Sequence, residues 1–294
     1  MTVTVTPLND ALGAEIGGVD VTRPIDPADF AIVRQAFIDH GVVLFRNQPL
    51  DALHLAAFAR HFGDLQPHVQ KKYHHPDEPN VVYMTNVDEK GNFDPVAAAR
   101  GAVEKTITGW HSDLCYDEIP CWATFLHALE IPSVGGPTCF ANTNKAFEAL
   151  PQRLKDKLVG KRGLFTYGGK PGSFVAMAAT TLPKDVDAPR PVEHPIIARH
   201  PLNGRPAIYA NPGLCQGIVG MDAAESEALL QEVFEVIDRP EFRYEHSWRL
   251  GDTVIWDNLG GIMHVGRADY PKNEKRILIR TTVRGRRIEM FEAA

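Results

Sequence analysis

The spacing of apolar positions, together with proline and glycine, predicts where helices begin and end along this chain. A first helix is expected to start at Asp26-Pro27 and stop at Gly41, because proline suits the first helical position and glycine the left-handed stop. Asp222 resembles the start of a capping box for the last helix. The predicted helices cover residues 26–41, 51–62, 142–158 with a break at the proline, and 222–238.

Short runs of alternating or continuous apolar residues predict strands over most of the remaining chain. Asn203-Gly204 separates two such runs, and this dipeptide is a strong turn signal because both residues tolerate positive φ, which predicts a hairpin. The predicted strands cover residues 42–45, 81–84, 122–128, 163–167, 195–200, 206–210, 242–248, 253–257, 262–266 and 276–283. The pattern therefore indicates a mainly β protein with surrounding helices.

Length and composition favour one domain. A chain of 294 residues with 44% hydrophobic content can bury a full core, and we expect a single domain over residues 1–294. No apolar stretch is long enough for a membrane span, and the start lacks the pattern of a secretion signal. The net charge of −6 gives no basic field for nucleic acid. Four cysteines without C-x-x-C spacing agree with reduced thiols in the cytoplasm.

Two histidines and one aspartate carry the candidate chemistry. In a strand His111 and Asp113 project to the same side, so they can converge on one metal ion, and His264 is the candidate third ligand. Two imidazoles and one carboxylate are the ligands of Fe(II) sites with three open positions. An isolated H-x-D triplet is a weak signal, and a second copy at residues 75–77 contains a proline that favours a loop.

A basic strand follows His264. Alternation places Arg276 and Arg280 on one face of residues 276–283, with the isoleucines between them on the other face. On its own this pattern is also typical of a solvated edge strand.

Taken together, these motifs resemble the Fe(II)/2-oxoglutarate-dependent dioxygenases typified by taurine dioxygenase and 2,4-dichlorophenoxyacetate dioxygenase. The resemblance runs nearly end to end and includes residues 12–20, 42–50, 58–63, 110–113, 132–138, 256–258, 264 and 276–281. It implies a double-stranded β-helix of the jelly-roll, cupin-like type, which also brings strands from opposite ends of the chain together. So many matches in order are far more specific than any single motif.

The resemblance also implies the roles of individual residues. His111, Asp113 and His264 match the metal ligands and form the catalytic centre. Thr138 and Arg276 match the residues that hold the distal carboxylate of 2-oxoglutarate, and arginine suits this because its paired N–H groups fit a carboxylate. The expected cofactors are Fe(II), the cosubstrate 2-oxoglutarate and O2. Because Asp113 is present, hydroxylation is favoured over halogenation, which requires a small residue there.

The expected substrate is a small anionic molecule bound by Arg280 and His68. An aryloxyalkanoate-like carboxylate is favoured, and taurine, an alkylsulfonate or an alkyl sulfate is the alternative. A non-catalytic jelly-roll protein that binds an organic acid and a zinc hydrolase are hypotheses from other classes. We further expect lid segments at residues 66–108 and 168–193, a homo-oligomer (dimer or tetramer), and no nucleic-acid or membrane partner.

Overall fold

The computed structural model describes residues 2–68, 71–88, 90–94, 102–103, 106–169 and 189–292. Its helices are α1 Pro27–His40, α2 Ala52–Arg60, α3 Thr143–Ala149, α4 Gln152–Leu158 and α5 Ala223–Ile237. Its strands are β1 Thr4–Pro7, β2 Ala14–Gly17, β3 Val42–Phe45, β4 Val81–Thr85, β5 Ala102–Val103, β6 Cys121–Glu130, β7 Thr138–Asn142, β8 Arg162–Phe165, β9 Val192–Pro195, β10 Ile197–Arg199, β11 Pro206–Ile208, β12 Cys215–Ile218, β13 Arg243–His246, β14 Thr253–Asp257, β15 Ile262–Arg267, β16 Ile277–Arg284 and β17 Glu289–Met290. Short 3-10 helices occur at Lys71–Tyr73, Thr106–Thr108 and Pro240–Phe242.

Two sheets build the centre of the fold. The major sheet has seven strands in the order β1-β2-β3-β14-β6-β16-β4, and the minor sheet has four in the order β13-β7-β15-β5. Strands from the two ends of the chain are neighbours, as where β14 lies between β3 and β6. This is the jelly roll predicted from the sequence, and that prediction is confirmed.

Alternation along the central strands sorts side chains into layers. In β14, Val254 and Trp256 enter the cluster between the two sheets, while Ile255 packs outward in the cluster that contains the buried residues of α1 and α2. The far face of the minor sheet packs against α3, α4 and α5. Every residue of β14 is buried, so this strand is apolar on both faces because it is covered on both.

The helix boundaries agree with the capping residues. The Asp26 carboxylate accepts from the backbone N–H of Ala28, and Gly41 ends α1 with a φ of 71°. Asp222 caps α5 in the same way, and α3 and α4 are separate helices on either side of Leu150-Pro151. The predicted hairpin is also present, with β10 antiparallel to β11.

One expected strand is wrong. His111 makes only an isolated antiparallel bridge to His264, and the chain turns directly afterwards, with Leu114 at a φ of 53°. Alternation along a strand therefore does not account for the approach of His111 to Asp113. A turn brings them together instead.

Several further expectations concern other parts of the chain. Residues 69–70, 89, 95–101 and 104–105 of the first predicted lid, and 170–188 of the second, lie outside the described residues, so both lids stay predictions. All four cysteines are buried, and none of them forms a disulfide within the described part of the chain. Burial raises the pKa of Cys115, Cys121 and Cys139, which keeps these thiols protonated. No helix in the described ranges combines the length and apolarity needed to cross a bilayer.

Candidate metal centre

Two side chains from one short segment meet a third, distant in the sequence, between the two sheets. One possible ligand atom from each of His111, Asp113 and His264 lies within 4.8 Å of the others. His264 belongs to β15, and reciprocal backbone hydrogen bonds of 3.2 and 2.9 Å join it to His111. This bridge brings the two imidazoles to a centroid distance of 4.2 Å, and His264 Nε2 lies 3.7 Å from Asp113 Oδ2.

Both imidazoles are suited to bind a cation. His111 Nδ1 lies 2.9 Å from the carbonyl oxygen of Gly109, so Nδ1 is the protonated nitrogen and Nε2 keeps its lone pair. Burial lowers the pKa of His264 to about 3 and also lowers that of His111. The two rings are therefore neutral at physiological pH, which is the form that coordinates metals. The ring of Trp256 packs against that of His264, with 4.5 Å between the two ring centroids.

The carboxylate of Asp113 is ionised and held by donors. Burial alone would raise its pKa, but the nearby Arg280 guanidinium opposes this and keeps the pKa well below its ordinary range. Arg280 donates from Nη1 to Oδ1 at 3.1 Å, and the Thr124 hydroxyl donates to Oδ2 at 2.7 Å. The side chain is 6% exposed, so the negative charge is buried and has a fixed orientation.

The chemistry of this donor set fits Fe(II). Two neutral imidazoles and one carboxylate, with ligand atoms within 4.8 Å of one another, match a site that leaves three coordination positions open. Among the described residues no other group of three or more histidine, cysteine or acidic side chains is close enough to hold a metal. The second H-x-D copy forms a local turn, in which the Asp77 backbone N–H donates to His75 Nδ1.

A second cationic group, Arg276, lies directly before β16. Arg276 donates from Nε to the carbonyl oxygen of Gly136 at 3.3 Å, and no carboxylate among the described residues lies within ion-pair distance of it. Burial lowers the pKa of this guanidinium to about 10. Two residues beyond Gly136, the buried Thr138 hydroxyl accepts a hydrogen bond from Trp248 Nε1 at 3.1 Å. Arg276 therefore contacts Gly136, and Thr138 lies in the same short segment.

The remaining two predicted residues are Arg280 and His68. Arg280 has a buried Nε without a hydrogen-bond partner among the described residues, although its Nη1 contacts Asp113. His68 is half-buried and follows Gln66, whose backbone N–H donates to Thr282 of the strand that carries Arg280. The structure therefore places His68 in a segment that lies alongside β16.

Sequence reasoning missed the residues that support the metal-binding groups. Thr124 and Trp248 belong to none of the sequence motifs, and Asn258 enters only through the Trp256-Asp257-Asn258 motif. One signal was available. Thr124 is a polar residue at a fully buried position in a strand that is otherwise mostly apolar, and such residues need a hydrogen-bonding partner.

Comparisons with known proteins agree with this geometry. The model of the "Taurine catabolism dioxygenase TauD, TfdA family" matches residues 4–282. Pentalenolactone F synthase from Streptomyces avermitilis is 32% identical, covering 91% of this chain and 89% of its own. The α-ketoglutarate-dependent 2,4-dichlorophenoxyacetate dioxygenase from Burkholderia sp. strain RASC is 28% identical, covering 94% and 93%. A crystal structure of a taurine dioxygenase from Burkholderia xenovorans superimposes with a TM-score of 0.79 and 30% identity, over 99% of this chain and 97% of that one.

Proposed function

This chain belongs to the taurine catabolism dioxygenase TauD, TfdA family, and from that premise we propose that it hydroxylates a small aryloxyalkanoate-like carboxylic acid. It is an Fe(II)- and 2-oxoglutarate-dependent dioxygenase, which uses O2 to convert 2-oxoglutarate to succinate and CO2 while it oxidises a second substrate. The observation that carries the proposal is the meeting of His111, Asp113 and His264, with Arg280 of β16 in contact with Asp113.

We assign the metal to His111, Asp113 and His264. Bound there, Fe(II) would supply the site at which 2-oxoglutarate and O2 react. The protein's own contribution is to keep both imidazoles neutral and the carboxylate ionised before the metal arrives, through burial and through the charge of Arg280.

Thr138 and Arg276 are assigned to the distal carboxylate of 2-oxoglutarate. Arg276 is a half-buried cation without a carboxylate partner among the described residues, so an incoming carboxylate would offset its desolvation. Because Trp248 donates to Thr138 Oγ1, the hydroxyl proton of Thr138 must point elsewhere and can serve as a second donor to the ligand.

Arg280 and His68 are assigned to the anionic group of the second substrate. The guanidinium uses one N–H for Asp113, and its buried Nε has no partner among the described residues, so it retains donors for an anion. An anion bound at Arg280 would lie next to Asp113. This position would bring the adjacent carbon of a small substrate close to the metal.

A sulfonate or an alkyl sulfate is the alternative to a carboxylate. One relative is named for 2,4-dichlorophenoxyacetate and one solved neighbour for taurine, and Arg280 can donate to the oxygens of either kind of anion. Phenoxyacetates are favoured because residues 42–50 and 110–113 resemble the aryloxyalkanoate dioxygenases more closely. We also propose a cytoplasmic homo-oligomer, dimer or tetramer, which light scattering on the purified protein would test.

Succinate release tests the proposal. The purified protein is incubated with Fe(II), 2-oxoglutarate and O2, and with separate panels of phenoxyacetates, alkylsulfonates and alkyl sulfates. We expect stimulation by a phenoxyacetate above the level without substrate, and loss of this stimulation in Asp113→Ala. Stimulation by sulfonates alone would favour the alternative substrate. Binding of the acids without succinate formation would instead favour a non-catalytic binding protein.

A further inference from the structure

We infer that Thr124 and Asn258 are positioning residues that fix the orientation of the Asp113 carboxylate before any metal binds. This inference rests on the proposed function, because it assigns a purpose to groups that contact Asp113 and have no assigned contact with a substrate. Asp113, Asn258 and Thr124 are joined by a closed ring of hydrogen bonds.

Three hydrogen bonds form the ring. The backbone N–H of Asp113 donates to Asn258 Oδ1 at 2.9 Å, and Asn258 Nδ2 donates to Thr124 Oγ1 at 3.0 Å. Thr124 Oγ1 then donates to Asp113 Oδ2 at 2.7 Å, which closes the ring. Thr124 and Asn258 have no exposed surface, and Asp113 is only 5% exposed. Water therefore cannot replace these contacts without rearrangement of the core.

The direction of every bond in the ring follows from chemistry. A backbone N–H can only donate, so the oxygen of the Asn258 amide must face Asp113 and its nitrogen must face Thr124. The Thr124 oxygen receives that N–H, which leaves its single proton for another acceptor. The choice lies between Cys121 Sγ at 3.9 Å and the Asp113 carboxylate at 2.7 Å, and the short contact to a charged oxygen is the stronger bond.

The major sheet fixes the two supporting residues. Thr124 lies in β6 directly opposite Trp256 of β14, and Asn258 follows β14 with its backbone N–H bonded to Trp122 of β6 at 2.8 Å. The ring is therefore attached to two paired strands, whereas Asp113 itself lies in a turn. Because a turn is less constrained than two paired strands, the sheet imposes the orientation of the Asp113 carboxylate through Thr124 and Asn258.

Arg280 cannot replace this ring. Its guanidinium contacts the other carboxylate oxygen, Oδ1, and it is also assigned to the substrate anion, so its contact with Asp113 can change when substrate binds. Thr124 and Asn258 have no comparable second role among the described contacts. They would hold Asp113 in place during substrate exchange, as hydrogen-bonded residues behind metal ligands generally do.

The test compares Thr124→Val with a matched control. Valine keeps the shape of threonine and removes the hydroxyl, and Thr253→Val removes an equally buried hydroxyl of β14, which bonds His127 at 2.9 Å. We would measure Mn(II) affinity of the metal-free protein by calorimetry and its Tm without metal. We expect T124V to raise the Mn(II) Kd by about 10- to 100-fold, with T253V within about threefold of the wild type.

Two further variants complete the design. Thr124→Ser keeps the hydroxyl and should restore the Kd to within about threefold of the wild type, which a packing role would not predict. Asn258→Ala opens the ring without altering Thr124, and should weaken Mn(II) binding at least about threefold even if T124V does not fold. A Kd in T124V equal to that in T253V, or an N258A protein with wild-type affinity, would overturn the inference. Equal Mn(II) binding by the wild type and Asp113→Ala would instead reject the proposed metal site itself.

Discussion

Replacement of Arg276 by glutamine should weaken 2-oxoglutarate binding and, at the same time, stabilise the ligand-free protein. The expectation follows from a half-buried guanidinium that, among the described residues, donates to the neutral Gly136 carbonyl and has no carboxylate partner. A cation in this position destabilises the empty fold. It would become favourable once the distal carboxylate of the cosubstrate is bound.

The lowered pKa gives the size of the effect. Burial lowers the pKa of Arg276 from its ordinary value to about 10, which corresponds to an unfavourable desolvation of about 3 kcal/mol for the charged form. Because the folded-state pKa lies below the unfolded one, this penalty is fully present at neutral pH and disappears only at pH values above both. Loss of the hydrogen bond to Gly136 costs about 1 kcal/mol, so glutamine should stabilise the empty protein by about 1–2 kcal/mol.

The effect on binding has the opposite sign. Hydrogen bonds from a charged donor to a carboxylate contribute about 1.5–3 kcal/mol each, so their loss should raise the 2-oxoglutarate Kd about 100-fold. The Kd would be measured by anaerobic calorimetry on the Mn(II)-loaded protein, and stability by thermal melting of the metal-free protein.

Arg60→Gln serves as the control for a paired arginine. Arg60 donates to the largely buried Glu78 at 2.8 Å, so its replacement should lower stability and leave 2-oxoglutarate binding unchanged. If Arg276→Gln instead destabilised the protein and bound 2-oxoglutarate with wild-type affinity, the unpaired cation would have a structural role and our assignment of the cosubstrate site would be wrong.

Three further predictions concern the surroundings of the site. Arg280→Gln should raise the KM of the second substrate at least about 30-fold and leave the 2-oxoglutarate Kd within about threefold, as measured by parallel assays of succinate and hydroxylated product. Loss of 2-oxoglutarate binding instead would reverse the two arginine assignments. Trp248→Phe should raise the 2-oxoglutarate Kd about three- to tenfold, because the hydroxyl of Thr138 loses the donor that directs its proton, and an unchanged Kd would contradict this role. Burial raises the pKa of Asp117 to about 6, so the folded state binds the extra proton and stability falls as pH rises from about 4 to 6. Asp117→Asn should remove that fall, and urea unfolding at pH 4.5 and 8 should show its advantage over the wild type growing by about 1–2 kcal/mol; a constant difference would refute the assigned cause.

The predictions that succeeded from sequence rest on local signals. Asp26 and Gly41 bound the first helix because capping is a property of adjacent residues. Alternation along β16 correctly placed Arg280 on the face of the strand that points to the space between the sheets, where Leu278 also packs. Each of these inferences needed only a few neighbouring residues.

The features that sequence could not supply depend on pairs that are distant along the chain. Asn258 and Asp113 are separated by 145 residues, and their hydrogen bond depends on the register of β14 against β6, which no local pattern specifies. The turn at His111 was missed because an isolated bridge leaves no alternating pattern. The contact between Arg280 and Asp113 was missed for a similar reason, since alternation gives the face of a strand but not the residue opposite.

The most direct test of the central claim is the position of the metal in crystals of the Mn(II)-loaded protein. An anomalous difference map recorded above the manganese edge should show one peak per chain within about 2–2.5 Å of an imidazole nitrogen of His111 and His264 and of a carboxylate oxygen of Asp113. The same peak should be absent in Asp113→Ala crystals. A fully occupied peak elsewhere, with these three side chains unliganded, would contradict the account.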